Sequence, residues 1–202
     1  MKSRIYLLGL IMLFFISCKK EESIKVTTDD YCAAVDTVTG IMVHDIFSPP
    51  VASRIYVYPN VAAYEIMAQN SPKLISLQGQ LKGLDSIPKL DPKSGVNKNL
   101  AALIAHMEVS KQLIFSEEAL EKYRDSLYQK WSDENPKEFE SSKEYALKVV
   151  DRIKVWMGKD NYKQTRTYPK FSVYTNNPAR WQPTPPSYMD GVEPHWGEIR
   201  TL

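Results

Sequence analysis

The stretch Ser48-Pro-Pro-Val-Ala-Ser-Arg-Ile-Tyr-Val-Tyr-Pro-Asn-Val-Ala-Ala-Tyr-Glu65 decides the fold. Two successive prolines suit the first turn of a helix, where the backbone nitrogen needs no hydrogen-bond partner. The residues that follow are apolar nearly all round, so the stretch predicts a central, buried helix. Pro59 lies inside this helix and is expected to kink it. Arg54 and Glu65 are its only charges, and both are expected to find partners.

Four further helices are predicted where apolar residues recur at spacings of three and four. The first is expected from Asp30 to His44, capped by Asp29 or Asp30, and the third after Ser94 as its cap. The fourth is expected after Ser116, and the fifth from Pro136 to the glycine cap Gly158. The fold class is therefore expected to be all-α, a bundle of about five helices.

The chain changes character from Lys159 onward. Six of its thirteen prolines fall in this segment, together with many of its aromatic residues. Such a composition predicts an irregular C-terminal segment whose aromatic side chains must dock on something to become ordered. A short strand is expected at residues 170–174.

The N-terminus carries the pattern of a targeting signal. Lys2 and Arg4 precede an apolar run, residues 5–16, which is shorter than the about 20 residues that a membrane-spanning helix needs. The run closes with Phe15-Ile-Ser-Cys18. Residues 1–17 are therefore predicted to be a lipoprotein signal peptide, with Cys18 as the acylated first residue. An ordinary secretory signal with an incidental cysteine is the alternative.

This prediction sets the expected organisation and location. Residues 18–28 would form a tether, and residues 29–202 the folded part. The protein is expected in the bacterial cell envelope, lipid-anchored at the outer membrane. Without residues 1–17, which contain two basic residues and no acid, the chain carries 24 residues of each sign. No net charge then attracts nucleic acid.

Few residues point to chemistry. Cys32 would be the sole cysteine left after lipidation of Cys18, and is expected to be a small core residue. The three histidines lie far apart, outside any metal-binding motif. His44 is expected to interact with the end of its helix, His106 to lie at a helix edge, and His195 to dock the C-terminal segment. Gly-x-Ser-x-Gly and phosphate-binding glycine loops are absent, so no catalytic, cofactor-binding or metal-binding residue is predicted.

Two segments carry a resemblance to a known family: Pro49-Pro-Val-Ala-Ser-Arg54, and Trp181-Gln-Pro-Thr-Pro-Pro186 with Pro194-His-Trp-Gly197. The chain resembles the N-terminal half of the vanadium-dependent haloperoxidase-like lipoproteins, in the type 2 phosphatidic acid phosphatase superfamily. In that family lysine, arginine and backbone amides near a Ser-Gly-His hold vanadate or phosphate, and a separate histidine bonds to it. This sequence has no Arg-Pro and no Ser-Gly-His.

The resemblance therefore implies that the catalytic half is absent and that vanadate could be bound only by a full-length protein. We expect the N-terminal helical part of a membrane-anchored phosphatase or haloperoxidase-like protein, truncated after Leu202 and inactive alone. Whether the chain itself is an enzyme stays open. Its expected partners are the membrane, through the lipid anchor, and the missing C-terminal half or a second copy. The alternatives are a self-sufficient ligand-binding or envelope-assembly lipoprotein and a purely structural envelope protein.

Overall fold

The computed structural model describes residues 22–201 of the chain. The predicted signal peptide, Cys18 and the first residues of the tether lie outside the described residues. Within the described part the fold is all-α, as predicted, and its helices are α1 (Thr28–His44), α2 (Pro49–Ala68), α3 (Lys98–Lys111), α4 (Glu117–Glu134), α5 (Pro136–Met157) and the single turn α6 (Tyr162–Thr165). A 3-10 turn follows at Trp196–Glu198.

The C-terminal segment is irregular, as predicted, but the strand expected at residues 170–174 is wrong. No strand occurs between residues 22 and 201, and residues 169–174 have no regular secondary structure. Among these same residues, no helix combines the length and apolar character needed to cross a membrane.

The centre of the bundle is shared by α2 and α3. Helix α2 begins at Pro49, as predicted, and Pro59 lies buried inside it. Helix α3 is more fully buried than α2, since nearly every residue from Leu100 to Ser110 is inaccessible to solvent. Alanines such as Ala101 and Ala105 leave little side chain between the backbones, so α3 packs closely against α2 and α5.

Two helix starts differ from the prediction because other residues cap them. In α1, Thr27 Oγ1 accepts a hydrogen bond from the N–H of Asp30, whose carboxylate accepts one from the N–H of Thr27. Helix α3 begins after Asn97, not Ser94, and the Asn97 side chain accepts from Leu100 N–H at 3.2 Å. Asn97 is held there by Ser142 Oγ, which accepts from its N–H at 3.0 Å. Helices α4 and α5 begin where predicted.

Two burial predictions were wrong. Cys32 is exposed, because α1 turns the face carrying Ala34 and Val38 toward the core, and Cys32 lies on another side of the helix. His106 is only 2% exposed, in the middle of α3 rather than at an edge. Its ring meets the ring of Tyr31 edge-on, with 5.0 Å between the centroids.

Glu65 finds its predicted partners in the long connection between α2 and α3. Its buried carboxylate accepts from Ser76 Oγ at 2.7 Å and from the N–H of Leu77 at 2.6 Å. These hydrogen bonds replace the contacts with water that the Glu65 carboxylate loses on burial. They also pin a segment with no regular structure of its own onto the central helix.

Candidate functional site

The most concentrated group of polar side chains surrounds Asp160, just after α5. This residue is 2% exposed. Its Oδ2 accepts from Arg54 Nε at 2.7 Å and from the Tyr58 hydroxyl at 2.9 Å. Its Oδ1 accepts from the N–H of Tyr162 at 2.9 Å. One carboxylate therefore joins α2, the end of α5 and the start of α6.

Arg200 brings the C-terminal segment to the same place. Its N–H donates to the carbonyl of Asp160 at 2.9 Å, and its Nη1 donates to the carbonyl of Trp156 at 2.9 Å. Its Nη2 donates to the Tyr58 hydroxyl at 2.8 Å, and its guanidinium lies 4.3 Å from the Trp156 ring centroid. Arg200 Nε is buried and has no hydrogen-bond partner among the described residues.

Tyr58 is kept neutral in this cluster because burial and Asp160 outweigh the opposing effect of Arg200 and Arg54 on its pKa. Burial, and then the negative charge of Asp160, raise the pKa of the Tyr58 phenol well above its ordinary value. The hydroxyl can therefore donate to Asp160 while accepting from Arg200. The Arg54 guanidinium lies 5.0 Å from the Tyr58 ring and 4.3 Å from the Tyr162 ring, which adds cation–π attraction to its ion pair.

A second set of contacts closes the base of the C-terminal loop, residues 169–193, which we call the aromatic loop. Arg166 pairs with Glu193, and Ser48 Oγ donates to the same carboxylate at 3.4 Å. The hydrogen bond from Arg166 lowers the pKa of Glu193. The end of the loop is therefore held both by Arg166 and by Ser48 at the amino-terminal end of α2.

His195 takes part in this closure, as its predicted docking role requires. Its Nε2 lies 2.8 Å from the carbonyl of Pro169, and its Nδ1 lies 2.9 Å from Glu198 Oε1. Both partners are acceptors, so the two hydrogen bonds can coexist only when both ring nitrogens carry protons. The Pro169 carbonyl and then the Glu198 carboxylate accordingly raise the pKa of His195.

The Asp160 cluster does not fit a vanadate or phosphate group. Arg54, Arg166 and Arg200 come together at this end of the bundle, but Asp160 and Glu193 neutralise two of them. A bound oxyanion requires several convergent cationic donors without competing carboxylates. Moreover, no three His, Cys, Asp or Glu side chains of the described chain are grouped so that they could hold a metal ion. The cluster is therefore a junction between segments.

His44, Asp45 and Ser116 form a second polar group, whose composition resembles a hydrolytic triad. In such a triad histidine stands between the other two and uses a different nitrogen for each. Here Ser116 Oγ donates directly to Asp45 Oδ1, and the same His44 Nδ1 lies 3.3 Å from Asp45 Oδ1 and 3.4 Å from Ser116 Oγ. His44 is therefore not placed as it is in a triad, and the group ties the α1–α2 turn to the start of α4.

An apolar cleft of about 510 Å³ lies between the start of α1, the second half of α2 and the start of α3. Tyr31, Tyr64 and Met67 form much of its wall, and the Tyr31 hydroxyl donates to Asn60 Oδ1 at 2.9 Å. Among residues 22–201, no charged side chain lines the cleft. A ligand held there would be neutral and largely apolar.

The sequence led to part of this arrangement. A single arginine in an otherwise apolar helix predicted that Arg54 would have a partner, and it does. Asp160, Tyr58 and Arg200 were missed, because nothing in their local sequence marks them as neighbours.

The fold and its junction define an all-α helical scaffold whose C-terminal segment is held against the bundle. The crystal structure of a bacterial vanadium-dependent iodoperoxidase is 59% identical in sequence to this chain and superposes on it with a TM-score of 0.85. The match covers 90% of this chain and 44% of that chain. This protein is therefore related to the vanadium haloperoxidases, as a partial piece spanning less than half of the iodoperoxidase. No protein family matches in a scan of known families, and no curated protein matches its sequence.

Proposed function

We propose that this chain is the N-terminal helical portion of a membrane-anchored haloperoxidase- or phosphatase-like protein, and that it has no catalytic activity alone. The observation that carries this proposal is 59% identity over 90% of this chain but only 44% of the iodoperoxidase. The oxyanion chemistry would come from residues outside this chain. The Arg54–Asp160–Arg200 junction supports a scaffolding role, because it holds the chain at Arg200 against α2 and α5.

The test is the length and activity of the native protein. We would read the DNA downstream of codon 202 in all three frames and measure the native protein's size on an immunoblot. We expect a protein about twice as long, given the 44% coverage of the iodoperoxidase, with Arg-Pro, Ser-Gly-His and Arg…His motifs in the added part. A frame that closes at Leu202, with a native protein of matching size, would overturn the proposal.

An activity measurement complements this test. The chain alone, supplied with vanadate, hydrogen peroxide and iodide, should give no oxidised iodine, and it should not hydrolyse a phosphomonoester. Either activity in the purified chain, removed by heat denaturation, would show that these residues contain a catalytic site.

We also propose lipid anchoring through Cys18, at the outer membrane. The folded part starts close behind this residue, since the carbonyl of Glu22 already accepts from Asn135 Nδ2 at 3.1 Å. The anchor would therefore hold the bundle near the membrane. Labelling with a palmitate analogue should be lost in Cys18→Ser and kept in Cys32→Ser. Labelling that persists in Cys18→Ser would contradict acylation at this residue.

A self-sufficient ligand-binding lipoprotein is the second candidate function, favoured by the apolar cleft at Tyr31 and Tyr64. It requires that the native protein matches the short chain in size and retains a neutral ligand. Extraction of the purified chain, followed by mass spectrometry, would detect such a ligand. Tyr64→Asp should abolish its retention.

A further inference from the structure

We propose that the aromatic loop, residues 169–193, is the surface on which the rest of the longer protein docks. This inference rests on the proposed function, and it names the contact surface that the absent part would use. The occupant is a polypeptide segment equivalent to the portion of the iodoperoxidase chain that this chain does not cover.

The loop has a defined conformation in the absence of a partner. Arg166 and Glu193 pair at its base, and His195 holds the Pro169 carbonyl at 2.8 Å. Closing a loop in advance lowers the entropy that a partner must remove on binding. Its two ends are therefore fixed, while most of the residues between them are exposed to solvent.

The side chains within the loop pack on one another. The Phe171 and Trp181 rings meet edge-on at 5.7 Å, and the Trp181 ring lies within 4 Å of where a Cβ on Gly191 would be. Gln182 Nε2 donates to the carbonyl of Tyr174 at 2.7 Å. These contacts keep the aromatic side chains in place although the loop is not covered by the bundle.

The same side chains remain open to solvent. Seven large apolar residues of the loop are between 41% and 69% exposed, namely Phe171, Val173, Tyr174, Trp181, Tyr188, Met189 and Val192. Several of them line a concavity of about 260 Å³. A contiguous apolar surface with aromatic anchors is typical of a protein interface.

Charge favours a polypeptide occupant over an anionic membrane. The loop carries Lys170 and Arg180 against Asp190 and Glu193, so the signs balance, and a membrane-binding segment would need a basic excess. The amount of missing chain supports the particular occupant, because more than half of the iodoperoxidase lies outside the matched part. The loop is also the last long segment before Arg200, where the following part would continue.

The experiment uses the full chain and a chimera that joins it to the portion of the iodoperoxidase outside the match. Met189→Glu and Val192→Glu place a charge on the loop, and Val43→Glu is the matched control on α1, where the valine is 75% exposed. In the chain alone all three variants should shift Tm by less than about 1 °C, because these side chains are solvated. In the chimera the two loop variants should lower Tm by about 5 °C or more, and Val43→Glu should not.

Oxidation of Met189 by hydrogen peroxide gives a second readout that does not depend on the variants. Mass spectrometry should show rapid oxidation of Met189 in the chain alone and at least about tenfold slower oxidation in the chimera, with the fully buried Met107 as the slow reference. This measurement remains informative if a glutamate variant fails to fold.

Several results would overturn the inference. A folded chimera in which Met189 stays reactive and the loop variants stay neutral would exclude the loop as the docking surface, while the proposed function would stand. An equal loss of Tm in Val43→Glu would show that the contact is not specific to the loop. Dimerisation of the chain alone, abolished by Met189→Glu in sedimentation measurements, would identify a second copy as the occupant. A chimera that unfolds in two separate transitions would count against both proposals.

Discussion

Arg54 and Asp160 lie 106 residues apart in sequence, yet Arg54 Nε and Asp160 Oδ2 are 2.7 Å apart. Their side chains are 11% and 2% exposed. A buried ion pair is stable only when its remaining hydrogen-bonding groups are also satisfied. Here the Tyr58 hydroxyl and the N–H of Tyr162 donate the further hydrogen bonds that the Asp160 carboxylate needs. The pair therefore fixes how α2 meets the end of α5 and the C-terminal segment.

Replacement of Asp160 should destabilise the fold strongly. Asp160→Asn removes the negative charge but keeps the shape, which leaves the Arg54 guanidinium buried without its counter-ion. Such a change costs about 3–5 kcal/mol of unfolding free energy, measurable by urea denaturation. The matched control is Glu144→Gln, since solvent screens the exposed pair of Glu144 with Lys148 and its loss should leave stability nearly unchanged. Equal losses of unfolding free energy in the two variants would show that the buried pair stabilises the fold no more than an exposed pair does.

Because of Asp45, the free energy of unfolding should depend on pH between about pH 4 and pH 2. Burial opposes its ionisation, but hydrogen bonds from Ser116 and the N–H of Phe115 outweigh burial and lower its pKa to about 2. A depressed carboxylate pKa stabilises the folded state above the unfolded value, and this contribution of about 2 kcal/mol disappears as the pH falls through the folded value.

Asp45→Asn tests this window. The difference in unfolding free energy between the wild type and Asp45→Asn should be constant above about pH 5 and should shrink toward zero near pH 2. Asp36→Asn, at an exposed carboxylate of the same helix, serves as the control for the substitution itself. A difference that stays constant down to pH 2 would contradict the role assigned to Asp45.

His106 should make the free energy of unfolding depend on pH in a higher range than Asp45 does. Burial lowers its pKa to about 4, so between about pH 6.5 and pH 4 the unfolded chain binds a proton that the folded chain does not. Stability should therefore fall by about 3 kcal/mol as the pH decreases through this range. His106→Met removes the titration and also the unpartnered Nδ1. It should flatten the profile at no cost near pH 7, and a wild-type profile without this fall would contradict the role assigned to His106.

Local signals predicted most of the scaffold. Prolines at Pro49 and Pro136 marked the starts of α2 and α5, and the change in composition after Lys159 marked the irregular segment. These signals work because a proline restricts its own backbone and needs no distant partner. The all-α class could therefore be predicted from these signals, whereas the relation to the vanadium haloperoxidases was indicated by the resemblance of residues 49–54, 181–186 and 194–197.

The errors lie where a distant residue decides the outcome. Helix α3 starts at Lys98 because Ser142, on α5, holds its cap Asn97. His106 is buried because Tyr31 packs on it from α1. The Asp160 cluster joins α2 to a segment more than 100 residues later, and such pairing is set by the packing of the whole bundle.

The closure of the aromatic loop should weaken as the pH rises. The Pro169 carbonyl and Glu198 raise the pKa of His195, whereas the positive charge of Arg166 opposes this shift. A raised histidine pKa stabilises the folded state below about pH 6.5, and the contribution is lost as the pH rises through the folded value. The neutral ring can keep only one of its two donated hydrogen bonds.

Cleavage of residues 169–193 by thermolysin, normalised to an unstructured peptide, should therefore be faster at pH 9 than at pH 6. His195→Gln should remove this difference. Glu193→Gln, which breaks the pair with Arg166, should speed cleavage at both pH values and keep their ratio. A wild-type loop cleaved equally at both values would show that His195 does not control its closure.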